Sequence, residues 1–511
     1  MKAIKIYFTL FLLVFLGVSC FEDDSNYTYK DVSYSDGSIV VTQSAAIWGK
    51  PIVITPKSID GSAEGVYKGM DLDSTFATRM TWKYFCPELT GDPQIPICTT
   101  MVFNMDLWKH ERVAMGTANT ILLQATDSLG NVYDTEITVK YDYLYKRGWF
   151  VLTNEEGQSV LSLVDQSNVL NHDIRTLSNL PVIGSGPKRM FRGPDGTYIV
   201  QESGMVALNE NTWATAKTLP EMFQNEEVPE GLFPVYVGRI YGSLAILVNE
   251  DGKLYSKVYQ QNKYDTEKFS KKTVQYNGVD LYAHFVFDYW DWWQTFIVYS
   301  ENLKGFYGVN GAWLYIAGTT YPILGPEWNE EGALPNPDDL SGYAMIHAGI
   351  VEWEYGVTRS IIRDTATSEI YFYQFDFDNE SAISEEHPRA YDLTFIKVVD
   401  GEKYFSQEPV CCEFTPTDNY LFFVPGNAKK DLCYLDCRTG LIGVFHSFED
   451  DITCMKFQNE SNTVLGVATA KKLYVLNVDD SRFEETDMKK KITQTFDFSE
   501  YGGDIVSIFR K

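Results

Sequence analysis

Apolar residues along this chain recur mostly every second position, in short runs, and almost never with the three-to-four spacing of an amphipathic helix. The runs are rich in Val, Ile, Tyr, Phe and Thr, and clusters of Gly, Asn, Asp and Pro separate them, which predicts an all-β protein. Two textures follow one another. From about Tyr27 to Asp142 the runs predict the strands of a small sandwich over Ser38–Thr42, Ile52–Thr55, Met80–Phe85, Thr120–Thr126 and Val132–Tyr141. The clearest local signal is the alternating run Leu122–Thr126, followed by Asp127-Ser128-Leu129-Gly130 and a second strand from Asn131. Asp127 can cap that turn through its carboxylate, and Gly130 supplies the left-handed residue that closes it.

Beyond Tyr143 the pattern becomes an array. Similar pieces recur at Leu161–Asp165, Met205–Asn209, Lys253–Ser256, Trp313–Ile316, Ile370–Tyr373, Cys433–Asp436 and Leu473–Asn477. Several follow turns such as Asn154-Glu155-Glu156-Gly157 or Asn249-Glu250-Asp251-Gly252. Their centres advance by about 41 to 62 residues, averaging about 52, which is the period of a multi-stranded propeller blade. Seven recurrences over about 365 residues predict a seven-bladed β-propeller. Six or eight blades stay open, because Leu324–Asp339, rich in Pro, Gly and Glu, reads as an excursion loop that inflates one unit. A pair of β-sandwiches is the competing architecture. The last run, Asp504–Phe509, reads as a closing strand that pairs with the first blade and removes a free edge.

The first residues set an address. Lys2 and Lys5 flank the start of the apolar run Ile6–Val18, and Ser19-Cys20 follows, which is the layout of a secretory signal over residues 1–19. The run is too short to span a bilayer core of ~30 Å, which needs roughly 20 apolar residues. Leu16-Gly17-Val18-Ser19-Cys20 resembles a bacterial lipobox, in which Cys20 is lipidated and becomes the mature N-terminus. The usual Leu three places before the cysteine is here Gly17, a departure that relaxed lipoboxes of Bacteroidetes also show. The acidic stretch Phe21-Glu22-Asp23-Asp24-Ser25-Asn26 resembles the tag that exports such lipoproteins to the outer face of the outer membrane. Residues 20–36 then form a lipidated acidic tether, 37–142 the sandwich and 143–511 the propeller.

Charge excludes one partner class. The formal charge is −27, and about −29 once Lys2 and Lys5 leave with the signal, so nucleic acid is repelled and a polybasic membrane-hugging face is ruled out. A hydrophobic content of 44% with 15% aromatics is ample for packed cores, which excludes a disordered stalk. Setting Cys20 aside leaves Cys86, Cys98, Cys411, Cys412, Cys433, Cys437 and Cys454. Cys86 and Cys98 have the spacing to staple one loop as a disulfide. Cys433-x-x-x-Cys437 has no companion pair at zinc-site spacing, so buried thiols or one or two disulfides are favoured over a metal.

No catalytic constellation stands out: there is no nucleophile elbow, zinc-protease helix, phosphate loop or dinucleotide fingerprint. The six histidines are scattered and read as surface or satisfied core residues. Asp376-Phe377-Asp378-Asn379-Glu380 lacks the glycine and terminal glutamate of a calcium loop and reads as a solvated turn. No cofactor is expected, and the chain reads as a non-enzyme. The aromatic cluster Tyr289-Trp290-Asp291-Trp292-Trp293 carries more weight, because neighbours on a strand face opposite sides and some of these rings must leave the core. Tyr289, Trp290, Trp292 and Trp293 are therefore candidate ligand contacts, with Trp328 and Trp353 as secondary ones.

Thr81-Trp82-Lys83-Tyr84 and the Asp127–Gly130 turn together resemble an immunoglobulin-like sandwich of the PKD (polycystic-kidney-disease) type. Taken with the lipobox, the segment Asn26-Tyr27-Thr28-Tyr29-Lys30-Asp31-Val32 and the junction Tyr145–Leu152, the whole chain resembles the PKD-like lipoproteins of Bacteroidetes. That resemblance implies an accessory of a Sus-type importer, in which a lipoprotein lid sits on a TonB-dependent barrel. It implies a surface-exposed outer-membrane protein that captures or hands over nutrient, oligosaccharide or peptide, without turning it over. The alternative is a propeller-fold glycan hydrolase or lyase; a structural adhesin is a third reading. Asp127-Ser128-Leu129 and Asp364-Thr365-Ala366 also look like Bacteroidetes O-glycosylation triplets.

Overall fold

The computed structural model describes residues 34–511 apart from 47–49, 62–78, 111, 114–116, 129, 142–144, 194–195, 241–243, 259–267, 290–294, 311–319, 330, 351–356, 378–388, 417, 459–460, 462 and 486. The chain divides into two compact units, Met1–Leu144 and Tyr145–Lys511. Among the described residues no helix is long and apolar enough to cross a membrane.

The first unit contains β1 (Tyr34–Gln43), β2 (Ile52–Gly61), β3 (Thr81–Phe85), β4 (Pro96–Cys98), β5 (Phe103–Met105), β6 (Ala118–Thr126) and β7 (Val132–Lys140). They join in one ladder, ordered β4-β3-β6-β7-β1-β2-β5, in which β1 runs parallel to β7 and antiparallel to β2. Strands from both halves of that ladder feed a single core, with Ile39, Ile52, Ile54, Trp82, Tyr84, Phe103, Ile121 and Leu123 all buried. The two short strands β4 and β5 left no run long enough to read in the sequence. The β6–β7 turn forms as its residues dictate. Asp127 Oδ1 accepts from the Asn131 amide at 2.9 Å, Oδ2 accepts from the Asn131 side chain at 2.9 Å, and Gly130 adopts φ +91°.

Cys86 and Cys98 do not form the expected staple. Register places Cys98 opposite Tyr84, and the chain leaves the ladder at Cys86 to start a helical turn over Pro87–Thr90. The Cys86 thiol donates to Glu88 and the Cys98 thiol meets Thr100 Oγ1. All seven cysteines from Cys86 to Cys454 are free thiols.

The second unit is a seven-bladed β-propeller. The seven innermost strands, in blade order, are Asp504–Arg510, Pro187–Gly193, Pro234–Ile240, Phe285–Tyr289, Tyr343–Ile350, Cys411–Phe414 and Ile452–Phe457. Each touches the next, and the last touches the first, so they close a ring around a central channel. The C-terminal strand Asp504–Arg510 completes blade 1 by pairing with Gly148–Glu155, with Phe509 opposite Phe150 and Arg510 opposite Trp149. The first and last strands of this unit therefore seal the ring by backbone hydrogen bonds, as the closing run anticipated.

Seven cores fill the seven gaps between blades. The second strand of a blade is covered on both faces. Leu421 and Phe423 pack toward blade 5 while Phe422 and Val424 pack toward blade 7. The recurring pieces of the sequence prove to be the third strands of blades 1, 2, 3, 5, 6 and 7. Blade 4 differs: its third strand is Gly305–Asn310, and the expected piece Trp313–Ile316 lies outside the described residues. The connectors into the inner strands dock on the preceding blade's central turn. Gly186 donates to Gly157, Ala283 to Gly252, Leu340 to Lys304 and Ile505 to Ala470, each at 2.6–2.7 Å.

Candidate ligand-binding site

The excursion loop 324–339, which joins blade 4 to blade 5, is the best-defined surface feature that carries a sequence-selected residue. Pro326, Pro335 and Pro337 keep it out of any ladder, since proline removes a donor. Its fold instead rests on Asn329, which is buried. Asn329 Oδ1 accepts from the Leu334 amide at 3.0 Å, and Nδ2 donates to Leu334 O at 2.8 Å and Asn336 Oδ1 at 2.6 Å. Gly325 is required there, because a Cβ would lie 2.0 Å from Asn336 Oδ1. Asp338 Oδ1 accepts from the Gly325 amide at 3.2 Å, and burial pushes its carboxyl above the ordinary carboxylate range.

Blade 5 pins the loop in place. Arg389 Nη1 donates to Gly325 O at 3.0 Å, the Ala390 amide to Leu324 O at 2.9 Å, and the buried Tyr373 hydroxyl to Pro335 O at 3.0 Å. On this support Trp328 is 59% exposed and Tyr391, on the outer strand Ala390–Lys397, is 55% exposed. The Trp328 indole N–H donates to the Tyr391 carbonyl at 3.2 Å. With that edge committed, the ring face of Trp328 is what it offers to a ligand. Such a platform suits the C–H face of a sugar or an apolar peptide side chain.

Tyr391 escaped the sequence reading. Its only signal is an aromatic beside a small apolar residue on a strand, which does not single it out among the 33 tyrosines of the chain. Of the primary aromatic cluster, Tyr289 ends the inner strand of blade 4, and Trp290, Trp292 and Trp293 lie outside the described residues, as do Trp353 and Cys20.

The described histidines are engaged in structure. His172 bonds Glu155 at 2.9 Å and stacks on Tyr501 at 3.9 Å; His446 lies 4.5 Å from the Phe448 ring; His110 accepts from the Arg112 amide. His284 Nδ1 pairs with Glu301 and Nε2 donates to the Glu250 carbonyl at 3.0 Å. The Glu301 hydrogen bond raises the His284 pKa to about 9. His387 lies outside the described residues. Among the described residues no group of three or more His, Cys, Asp or Glu converges on a metal position. Of the Asp376–Glu380 turn, only Asp376 and Phe377 fall within the described residues, both on a strand.

No family model and no curated protein matches the sequence. Solved propellers are similar at low identity. The β-propeller domain of Cps50 (Swd1) from Myceliophteria thermophila is 12% identical, covering 53% of this chain and 73% of that one, with a TM-score of 0.31. YCF48 from Cyanidioschyzon merolae is 10% identical over 66% of this chain and 94% of that one, TM-score 0.32. Sqt1 from Chaetomium thermophilum is 9% identical over 71% of this chain and 91% of that one, TM-score 0.36. The seven-bladed ring itself rests on the strand registers.

Proposed function

We propose that the protein is a surface-exposed outer-membrane lipoprotein, anchored through Cys20, that binds nutrient as a non-catalytic accessory of a Sus-type uptake complex. The address comes from the lipobox-like Leu16–Cys20 and the acidic stretch after it. In this reading the first unit is a PKD-like sandwich: its single ladder folds both halves around one core, and its Asp127 turn has the expected chemistry. The observation that carries the binding role is the exposed Trp328, held on a loop built around a buried asparagine and pinned to blade 5. A ring fixed in this way loses little conformational entropy on capture, which favours binding.

The test is purification of the lipidated chain from outer membranes under mild detergent. Importer subunits should come with it, and incubation with oligosaccharides or peptides should leave them uncleaved. Trp328→Ala should weaken ligand binding about tenfold, the scale of losing one aromatic anchor. Release of cleavage products by the pure protein, with no importer subunit attached, would replace this reading with the hydrolase.

A further inference from the structure

The channel of the propeller has two unlike walls. The inner strands of blades 1 to 3 carry Lys188, Arg189, Arg192, Arg239 and Arg510 against one acid, Asp504. Those of blades 4 to 7 carry Asp288, Glu413 and Lys456. In a chain of net charge −27, this concentration of cations on three strands stands out from the background.

Most of these charges are already matched. Lys188 pairs with Glu202 at 2.7 Å, Arg192 with Glu210 at 2.9 Å, and Lys456 with Glu413 at 2.7 Å. Two are not. Arg189 donates through Nη1 to the Val235 carbonyl of the neighbouring inner strand at 3.1 Å, and Arg510 lies over the Trp149 ring at 5.5 Å. Neither has a carboxylate in bonding range among the described residues. Arg189 is exposed although it sits mid-strand. Neighbouring blades cover both faces of its strand and the second strand covers its outer edge, so that exposure opens into the channel. Enclosure by protein lowers the pKa of both guanidinium groups, and the Glu250 carboxylate opposes that shift at Arg189 from beyond bonding range.

The opposite wall is aromatic. His347 of blade 5 stacks on Phe414 of blade 6 at 5.5 Å and meets Phe285 of blade 4 edge-on at 5.8 Å. Burial, with Lys456 beside it, holds the His347 ring neutral, its pKa lowered to about 3. His347 and Phe285 are half-buried, and Phe414 backs them.

We propose that the channel binds an anionic oligosaccharide, whose carboxylate or sulfate groups dock on Arg189 and Arg510 while a sugar face lies against Phe285 and His347. An acidic sugar unites an apolar C–H face with charge on its edge, which is the pairing these two walls offer. This rests on the capture role proposed above and specifies its ligand class.

Calorimetric titration of the mature full chain with tetragalacturonate, a chondroitin sulfate tetrasaccharide, maltotetraose and tetraglutamate tests it. At least one acidic saccharide should bind, more weakly as salt rises, and about tenfold more tightly than maltotetraose. Arg189→Gln should cost about tenfold in that affinity, and Arg189→Lys should restore part of it, with unchanged melting temperatures showing that both variants fold. The two acidic probes separate carboxylate from sulfate recognition. Failure of both to bind, equal binding of maltotetraose, or indifference to Arg189→Gln would overturn the proposal; preference for tetraglutamate would overturn the saccharide class. If maltotetraose binds equally and only Trp328→Ala abolishes that binding, the capture role stands and this inference alone falls.

Discussion

Two strands, one from each unit, show how differently the two units are built. In Ala118–Thr126 of the first unit, buried residues alternate with partly exposed ones along the whole strand. In Tyr420–Val424 of blade 6, every residue is buried. The first has a core on one face only, so its sequence alternates. The second lies between two blade cores, so its sequence, Tyr-Leu-Phe-Phe-Val, is continuously apolar. The number of covering layers, and not strand propensity, writes the pattern. It also sets where damage spreads: a single core in one unit, and a ring of seven cores that share strands in the other.

Breaking the ring should have the largest effect. Deleting residues 504–511 removes the inner strand of blade 1 and the burial of Ile505, Ile508 and Phe509, worth about 1.5–3 kcal/mol each. Differential scanning calorimetry should show the propeller melting more than about 10 °C lower, or without a cooperative transition. An unchanged melting temperature would mean the ring does not depend on its closure. Next comes a direct test of the layer argument by denaturant titration. Leu421→Ala and Phe422→Ala, adjacent but on opposite faces, should each cost about 3–5 kcal/mol. In the first unit Leu123→Ala should cost about 3 kcal/mol and its neighbour Gln124→Ala less than about 0.5 kcal/mol. Equal costs for Leu123 and Gln124 would erase the contrast.

A polar tie within the propeller ranks third. Buried Arg175 donates through Nε and Nη2 to the Pro181 carbonyl and through Nη1 to that of Trp213. Arg175→Met strands both acceptors, and the midpoint of chemical unfolding should report a loss of about 3 kcal/mol.

The smallest effect is a pH dependence at the junction of blades 3 and 4. His284 has its pKa raised from 6.5 to about 9 by Glu301, so its contribution is whole below pH 6.5 and disappears as pH rises through about 9. Glu301 is shifted downward by the same bond, so its share fails only in acid, below its ordinary 4.5. The pair is 45% and 38% exposed, and solvent screening holds it to less than about 1 kcal/mol. Stability of the intact chain minus that of His284→Ala, measured from pH 6 to 10, should shrink across that interval; a flat difference would show that the bond is idle.

Much of the architecture was legible in advance. The all-β class, six of the seven recurrences and the closing run near residue 504 are local patterns, and each of these runs records a strand with a fixed covering, while the fourth recurrence, Trp313–Ile316, lies outside the described residues. The recurrence picked out third strands because tight turns such as Asn154–Gly157, with Glu156 and Gly157 both at positive φ, precede them and mark them by composition. The other inner strands escaped notice: Cys411–Phe414 has four residues and Phe285–Tyr289 five, with no shared motif. Trp328 was legible as an aromatic in a polar loop. Its partner Tyr391 was not, because the bond between them spans 63 residues. Cys86 and Cys98 show the opposite error, where closeness in sequence suggested a bond that the local ladder register does not make.

The sequence by itself determined the all-β class, the recurrence of one strand per blade and the run on which the ring closes, and left the blade number between six and eight, because hydrophobic alternation and turn chemistry act over a few residues. Only the tertiary structure decided that Arg189, Arg510, Phe285, His347 and Phe414 lie on the inner strands of five different blades of one closed ring. Ring closure puts them there, and it depends on the packing of all seven interfaces at once, which no window of the sequence contains.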